Sequence, residues 1–400
     1  MPGFRVLNVT DYASAYEGAF IRQLRMLDEE IRRRDGRASA ICLTPSAMAR
    51  PWVDTLRQDG WELREVPHGT PWPERRIARA IQDAVLELRP DVVHVHFGTF
   101  DLSTRAALQR LRRRLGPAMP RLVWHYRTAL ETPVAERSAL RRWKDRLKYG
   151  RGAQDVDLIV GVTQALADEV VERGAPRGRT RGIVAGCDTD RFRSDAATRR
   201  RMRDSIGVGD DEILLMHMGW SWHRKGGDLL AEAVRSIEAG GGPKLLACSI
   251  GAPEDALLGS VRALPMSDRV HEYHQAADIF VSASRSEGFG NGLVEAMACE
   301  RVAIAAAAGG QLETFAGIEG VVTIPVGDAQ ALARAVRELV ERRASWPALG
   351  AANRRHVLER HSMRRWARDM ADAYAELVPA HLEPSNSLPD APPSSAAEVA

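Results

Sequence analysis

The chain has 400 residues, 44% of them hydrophobic, with 56 basic against 53 acidic side chains and a formal net charge of +3. That length exceeds one ordinary hydrophobic core and predicts two domains, while so small a net charge gives little whole-molecule steering of a polyanion. Four scattered cysteines, Cys42, Cys187, Cys248 and Cys299, form no C-x-x-C pair, which predicts reduced thiols in a cytoplasmic protein rather than a disulfide frame. Met1 to Thr10 shows no leader pattern and no run reaches ~18 apolar residues, so neither secretion nor membrane insertion is expected.

Along the chain, short β-branched runs alternate with longer amphipathic ones, the pattern of parallel sheets covered by helices. Residues 4–9, 40–43, 91–96, 121–125 and 157–162 read as strands of a first sheet. Gly18 falls in the loop after the first of them, within Tyr16-Glu-Gly-Ala-Phe20. From Arg105 to Arg151 the chain carries fourteen basic residues against Glu131, Glu136 and Asp145. Such a stretch is either a solvated basic face or a surface for anionic lipid or an acidic acceptor. Trp143 and Tyr149 are the only aromatics in its densest part and no known module is visible, so nucleic acid is not an expected partner.

A first domain is placed over residues 1–187 and a second over 188–361, divided within the segment Ala185-Gly-Cys-Asp-Thr-Asp-Arg-Phe192. Residues 213–218, 244–250, 278–281, 302–305 and 321–324 read as strands of the second sheet. After the first of these comes Gly219-Trp-Ser-Trp-His-Arg-Lys-Gly-Gly-Asp228, where adjacent Arg224 and Lys225 can neutralise a diphosphate whose charge grows as its ester bond breaks. Lys225 is one of only four lysines among the 56 basic residues, and a lysine beside glycine in a loop suits a site that needs a compact point charge.

The next strand runs into Ser286-Glu-Gly-Phe-Gly-Asn-Gly-Leu-Val-Glu295, a glycine-rich turn opening a helical run, with Glu287 and Glu295 eight positions apart. Freed N–H groups at such a helix start can hold an anion, and Gly288, Gly290 and Gly292 let the main chain approach it. The plainer possibility is that a glutamate early in the helix merely complements the dipole. The dinucleotide fingerprint G-x-G-x-x-G would need glycine at Leu293 or Glu295, which argues against a nicotinamide fold. A helical segment over about 362–380 closes the globular part, and the Pro/Ser/Ala-rich tail of 383–400 is expected to be disordered.

No metal is expected. Asp155-Val-Asp157 and Asp188-Thr-Asp190 have the spacing of a metal pair but lack further convergent oxygens, and His271-Glu-Tyr-His274 is one residue short of H-E-x-x-H.

Glu287-x7-Glu295, the Lys225-Gly226 loop, Arg89-Pro-Asp-Val-Val-His-Val-His96 and the 185–192 segment together resemble the retaining glycosyltransferases of family 4 from about Phe4 to Val378. The resemblance implies an α/β fold of the GT-B type, with two Rossmann-like parallel-sheet domains facing a central cleft and the last helix crossing back onto the first domain. It implies that Glu287 contacts the hydroxyls of the transferred sugar and Glu295 the nucleotide ribose, while the amides of Phe289, Gly290, Asn291, Gly292 and Leu293 hold sugar and phosphate oxygens. Lys225 matches the diphosphate lysine, His125 a histidine that touches the sugar, and Gly18 one glycine of a first-domain loop near the phosphate. The sequence departs from the family at Trp220, where an arginine usually stands and for which Arg224 would substitute. It also departs at Glu17 and Ala19 beside Gly18, at Ala185, and at Glu300, where glycine is common. Glu313 keeps the later Gly-Gly-x-x-Glu element.

The expected function is therefore a cytoplasmic, metal-independent retaining transfer of a sugar from a UDP-, GDP- or TDP-sugar to a hydroxyl acceptor, without a cofactor, at or near an anionic membrane. A bacterial role in building envelope glycoconjugate, polysaccharide or a secondary metabolite is implied. The alternatives are a non-catalytic nucleotide-sugar-binding scaffold at the membrane surface, and a nucleotide-sugar epimerase of the same shape.

Overall fold

In a computed structural model, residues 4–67, 73–130, 136–209, 211–253 and 259–378 are described; the expected disordered tail lies outside them. The first sheet holds β1 (Val6–Val9), β2 (Ala40–Leu43), β3 (Glu62–Glu65), β4 (Val92–His96), β5 (Arg121–Tyr126), β6 (Leu158–Gly161) and β7 (Thr180–Gly182). The second holds β8 (Ile213–Met218), β9 (Leu245–Ile250), β10 (Val261–Leu264), β11 (Ile279–Ser282), β12 (Val302–Ala306) and β13 (Val321–Ile324). Their orders are 3-2-1-4-5-6-7 and 10-9-8-11-12-13, and every pairing within them is parallel. The inner strands are buried on both faces, which is why they read as continuous apolar runs rather than alternating ones.

Three strands were not anticipated from the sequence: Glu62–Glu65, Thr180–Gly182 and Val261–Leu264. All three lie at sheet edges, where one side of the strand meets solvent and polar side chains such as Glu62, Arg64 and Arg262 are tolerated.

In both sheets the order reverses beside the first strand, between β1 and β4 and between β8 and β11. In open parallel sheets such a reversal leaves a crevice beyond the carboxyl ends of the strands. Here the two crevices face each other. Where the chain passes between the sheets, Cys187 N donates to His361 O at 2.7 Å and Met363 N to Cys187 O at 2.8 Å. The helix Met363–Leu377 then seats Trp366, Met370 and Tyr374 against Phe4, Val6, Val92 and Val123 of the first sheet.

Candidate functional site

The site is built from two strand-loop-helix units of the second sheet. After β8, a one-turn helix, Trp222–Lys225, ends at Gly226, whose φ of 75° opens the helix Gly227–Ala239. After β11, the chain runs through Glu287 to Gly290, φ 83°, which starts the helix Asn291–Ala298 without a side-chain cap. An uncapped start leaves donors that an anion can take up.

Lys225 and Glu287 meet between these loops: the Lys225 ammonium pairs with Glu287 Oε1, which also accepts from Ser284 Oγ at 2.9 Å. The loops are fastened to one another. Arg285 grips Asp228 with two bonds of 2.8 Å, and Arg285 N donates to Arg224 O at 2.8 Å.

His217, which sequence reasoning passed over as part of an apolar strand, fixes the Lys225 backbone. Its Nε2 bonds Lys225 O at 3.0 Å while Nδ1 faces Ser249 Oγ at 2.9 Å. Burial pushes its pKa down to about 4, so the ring is neutral and its Nε2–H is the donor.

Trp220 does more than leave a gap where an arginine was expected. The centroid of its exposed ring lies 4.6 Å from the Arg224 guanidinium carbon and 5.3 Å from Lys225 Nζ, so the indole packs against both cations. Arg224 also donates from Nη1 to Ser286 O at 3.1 Å. Glu295, one turn into its helix, lies 3.4 Å from His274 Nε2.

The cleft between the sheets has a volume of about 1590 Å³. Gly18, Arg127 and Thr128 line it from the first sheet, and Arg224, Lys225, Glu287, Phe289 to Leu293, and Glu295 from the second. Gly18 stands at the start of the helix Gly18–Arg33 with φ 62°, and its neighbour Glu17 pairs with Arg22 and Arg25 at 2.9 Å each.

His125 is the predicted residue that the structure does not bring to the cleft wall. It is 1% exposed, and its ring stacks with His94 and Trp366. Arg127 Nη1 donates to His125 Nδ1 at 3.2 Å; two residues further along the chain, it is Arg127 that lines the cleft. His94 Nε2 lies 3.1 Å from the same Nδ1, and the Tyr374 hydroxyl 2.5 Å from His94 Nδ1. His96 Nε2 reaches Asn8 Oδ1 at 3.1 Å.

The ring nitrogens of His94, His96 and His125 converge within 4.8 Å, as metal ligands would. Both His94 nitrogens are already engaged within the protein, and a guanidinium donates to His125 Nδ1 from the side. Burial holds all three rings well below the ordinary imidazole pKa. The three rings thus form a neutral, buried stack beside a cation, with His96 Nδ1 and His125 Nε2 left without a hydrogen-bond partner among the described residues.

The two aspartate pairs are likewise used inside the protein. Asp155 binds Arg105 at 2.8 Å and Asp157 accepts from Leu122 N at 2.8 Å. Asp188 accepts from Arg191 N at 3.2 Å and Asp190 binds Arg364 at 2.8 Å.

Residues 22–191 match the model of Glycosyltransferase Family 4 and residues 212–342 that of Glycosyl transferases group 1. With these two matches the chain is a glycosyltransferase, and its fold is of the GT-B type. Among its relatives is the GDP-mannose-dependent alpha-(1-6)-phosphatidylinositol monomannoside mannosyltransferase of Mycolicibacterium smegmatis, 26% identical over 66% of this chain and 78% of that protein. Another is the putative teichuronic acid biosynthesis glycosyltransferase TuaC of Bacillus subtilis, 25% identical over 78% and 76%. The fold is shared with a glycosyltransferase from Rickettsia africae, with a TM-score of 0.77 at 15% identity over 94% of this chain and 99% of that one. It is also shared with HepE of Anabaena, solved with UDP and glucose, with a TM-score of 0.73 at 18% identity over 93% and 99%.

Proposed function

We propose that this glycosyltransferase moves a sugar from a UDP-, GDP- or TDP-sugar to a hydroxyl acceptor with retention of anomeric configuration and without a metal. The observation that carries the reading is the Lys225–Glu287 pair beside the uncapped start of the helix Asn291–Ala298, inside the cleft. Lys225, Arg224 and the amides of Asn291 and Gly292 would take the charge that grows on the departing diphosphate. Glu287 would accept hydrogen bonds from the sugar hydroxyls, and Glu295 from the ribose. The acceptor hydroxyl enters from the face that the diphosphate leaves, and its proton passes to a leaving phosphate oxygen.

One relative is a phosphatidylinositol monomannoside mannosyltransferase and another a putative teichuronic acid biosynthesis glycosyltransferase, and an acceptor of the cell-envelope glycoconjugate class is proposed here. A peripheral membrane contact fits this acceptor. Leu140 and Trp143, on the helix Ala139–Asp145, are 62% and 57% exposed among Arg141, Arg142 and Lys144, a basic surface with apolar side chains that could enter a headgroup layer.

Incubation with a panel of nucleotide sugars and envelope-derived acceptors tests the reading. Nucleoside diphosphate should be released, chelator should leave the rate unchanged, and the product should keep the donor's anomeric configuration. Lys225→Ala and Glu287→Ala should each lower turnover by about 10²–10³-fold, the loss typical of a transition-state charge partner. The double variant, which leaves neither charge uncompensated, should melt near the wild type while staying inactive. Unchanged rates in both single variants would remove this site assignment.

A further inference from the structure

Arg127 differs from Lys225 and Arg22, which also line the cleft. Lys225 has Glu287 and Arg22 has Glu17, but the partners of Arg127 are all neutral. Its guanidinium donates to Gln23 Oε1 and His125 Nδ1 and lies 4.8 Å from the Phe20 ring and 5.3 Å from the Trp366 ring. Among the described residues no carboxylate pairs with it. Enclosure pushes its pKa down to about 9, so it stays protonated at neutral pH while lacking a counter-charge. An uncompensated cation of this kind is costly to hold, and a planar fork of donors matches a phosphate.

Its position fits that ligand. The side chain leaves the carboxyl end of β5 and lines the cleft. The backbone of 127–129 abuts the loop that carries Glu287, since a Cβ on Gly288 would come within 3.1 Å of Ala129 N and 3.5 Å of Arg127 O. Phe20 and Gln23 belong to the helix whose first residue is Gly18. Arg127 thus ties the two sides together: its guanidinium lies against the helix that begins at Gly18, and its backbone borders the loop that carries Glu287.

Resting on the reading of the cleft given above, we propose that Arg127 is an anion anchor on the first-domain side of the cleft, binding a phosphate group of a bound substrate. That phosphate belongs either to the nucleotide-sugar donor or to a phosphorylated acceptor.

The test uses the full chain with Arg127→Met and Arg127→Gln, and two probes. UDP, GDP and TDP report the donor side, and orthophosphate added to protein saturated with nucleoside diphosphate reports the acceptor side. Loss of a charge-assisted hydrogen bond should weaken the affected probe by roughly tenfold or more. The slope of log Kd against log salt should also flatten, a readout that a merely structural residue would not move. Ligand-free Arg127→Met should melt at or above the wild-type midpoint, because it replaces an uncompensated charge by an apolar chain of similar length.

Weakened nucleoside diphosphate binding assigns the anchor to the donor, and weakened orthophosphate binding alone assigns it to the acceptor. Folded variants that bind both probes as the wild type does overturn the proposal; so do variants that fail to fold, which would make Arg127 structural. If the wild type binds no nucleoside diphosphate, the donor-site reading itself falls. If Lys225→Ala weakens binding and Arg127→Met weakens neither probe, only the anchor is lost.

Discussion

At the scale of single residues, Glu300 shows how a departure from a family pattern becomes a physical statement. The position commonly holds glycine, and here the glutamate adopts φ 62° at the end of the helix Asn291–Ala298. A left-handed backbone costs an ordinary residue about 1–2 kcal/mol, whereas glycine's extra freedom in the unfolded chain returns about 0.4–1 kcal/mol. Glu300→Gly should therefore stabilise the protein by about 0–1.6 kcal/mol, seen as a rise of roughly 2 °C in the melting midpoint. A lower midpoint would mean that the Glu300 side chain contributes more than its backbone costs. The sequence marks this position as unusual but does not reveal its angle. The same holds for Trp220, where an arginine was seen to be missing but the stacking of Arg224 and Lys225 on the indole depends on a loop geometry that no spacing encodes. His217 and Arg127 gave no signal, since one sits inside an apolar run and the other in a stretch dense with arginines.

At the scale of elements, the strand-loop-helix units were legible because buried parallel strands and glycine-rich helix starts leave strong local patterns. Three of the four edge strands, β3, β7 and β10, were not, because their polar composition is that of a loop, whereas the apolar edge strand β13 was. Gly226 links the two kinds of information, since it was read as part of the Lys225 loop and the structure adds why it must be glycine. It has φ 75°, and a Cβ there would lie 2.1 Å from Ala283 O on the loop after β11. Gly207 provides the matched control, with the same φ of 75° and nothing within 4 Å of its Cβ. Gly226→Ala must move one loop away from the other and so separate Lys225 from Glu287. Gly207→Ala should carry only the backbone penalty of about 1–2 kcal/mol and retain turnover. Gly226→Ala should destabilise further and lose about 10²-fold or more in turnover, the scale set by a misplaced catalytic group. Equal activity in the two variants would mean that the loops tolerate separation.

At the scale of the whole molecule, the cleft lies where two reversals of strand order face each other, and the first sheet carries its histidines as neutral, buried rings. His94, His96 and His125 are held well below the ordinary imidazole pKa by burial, and His217 and His361 are pushed down to about 4 by the same cause. For a base whose folded pKa is depressed, both states are neutral above the unfolded value of about 6.5, and no penalty arises there. Below it the unfolded chain takes up protons that the folded chain refuses, so stability falls with decreasing pH. For His217 and His361 this continues to about pH 4, at about 1.4 kcal/mol per pH unit for each histidine. The melting midpoint should therefore be flat from pH 8 to 7 and drop steeply between pH 6.5 and 4. His217→Gln keeps one donor and one acceptor for Lys225 O and Ser249 but cannot take the proton, so it should be less acid-sensitive than the wild type while melting lower at pH 7.5. A wild-type midpoint that stays level down to pH 4.5 would show that these rings find counter-charges or water on protonation, and the neutral stack beneath the cleft would have to be given up.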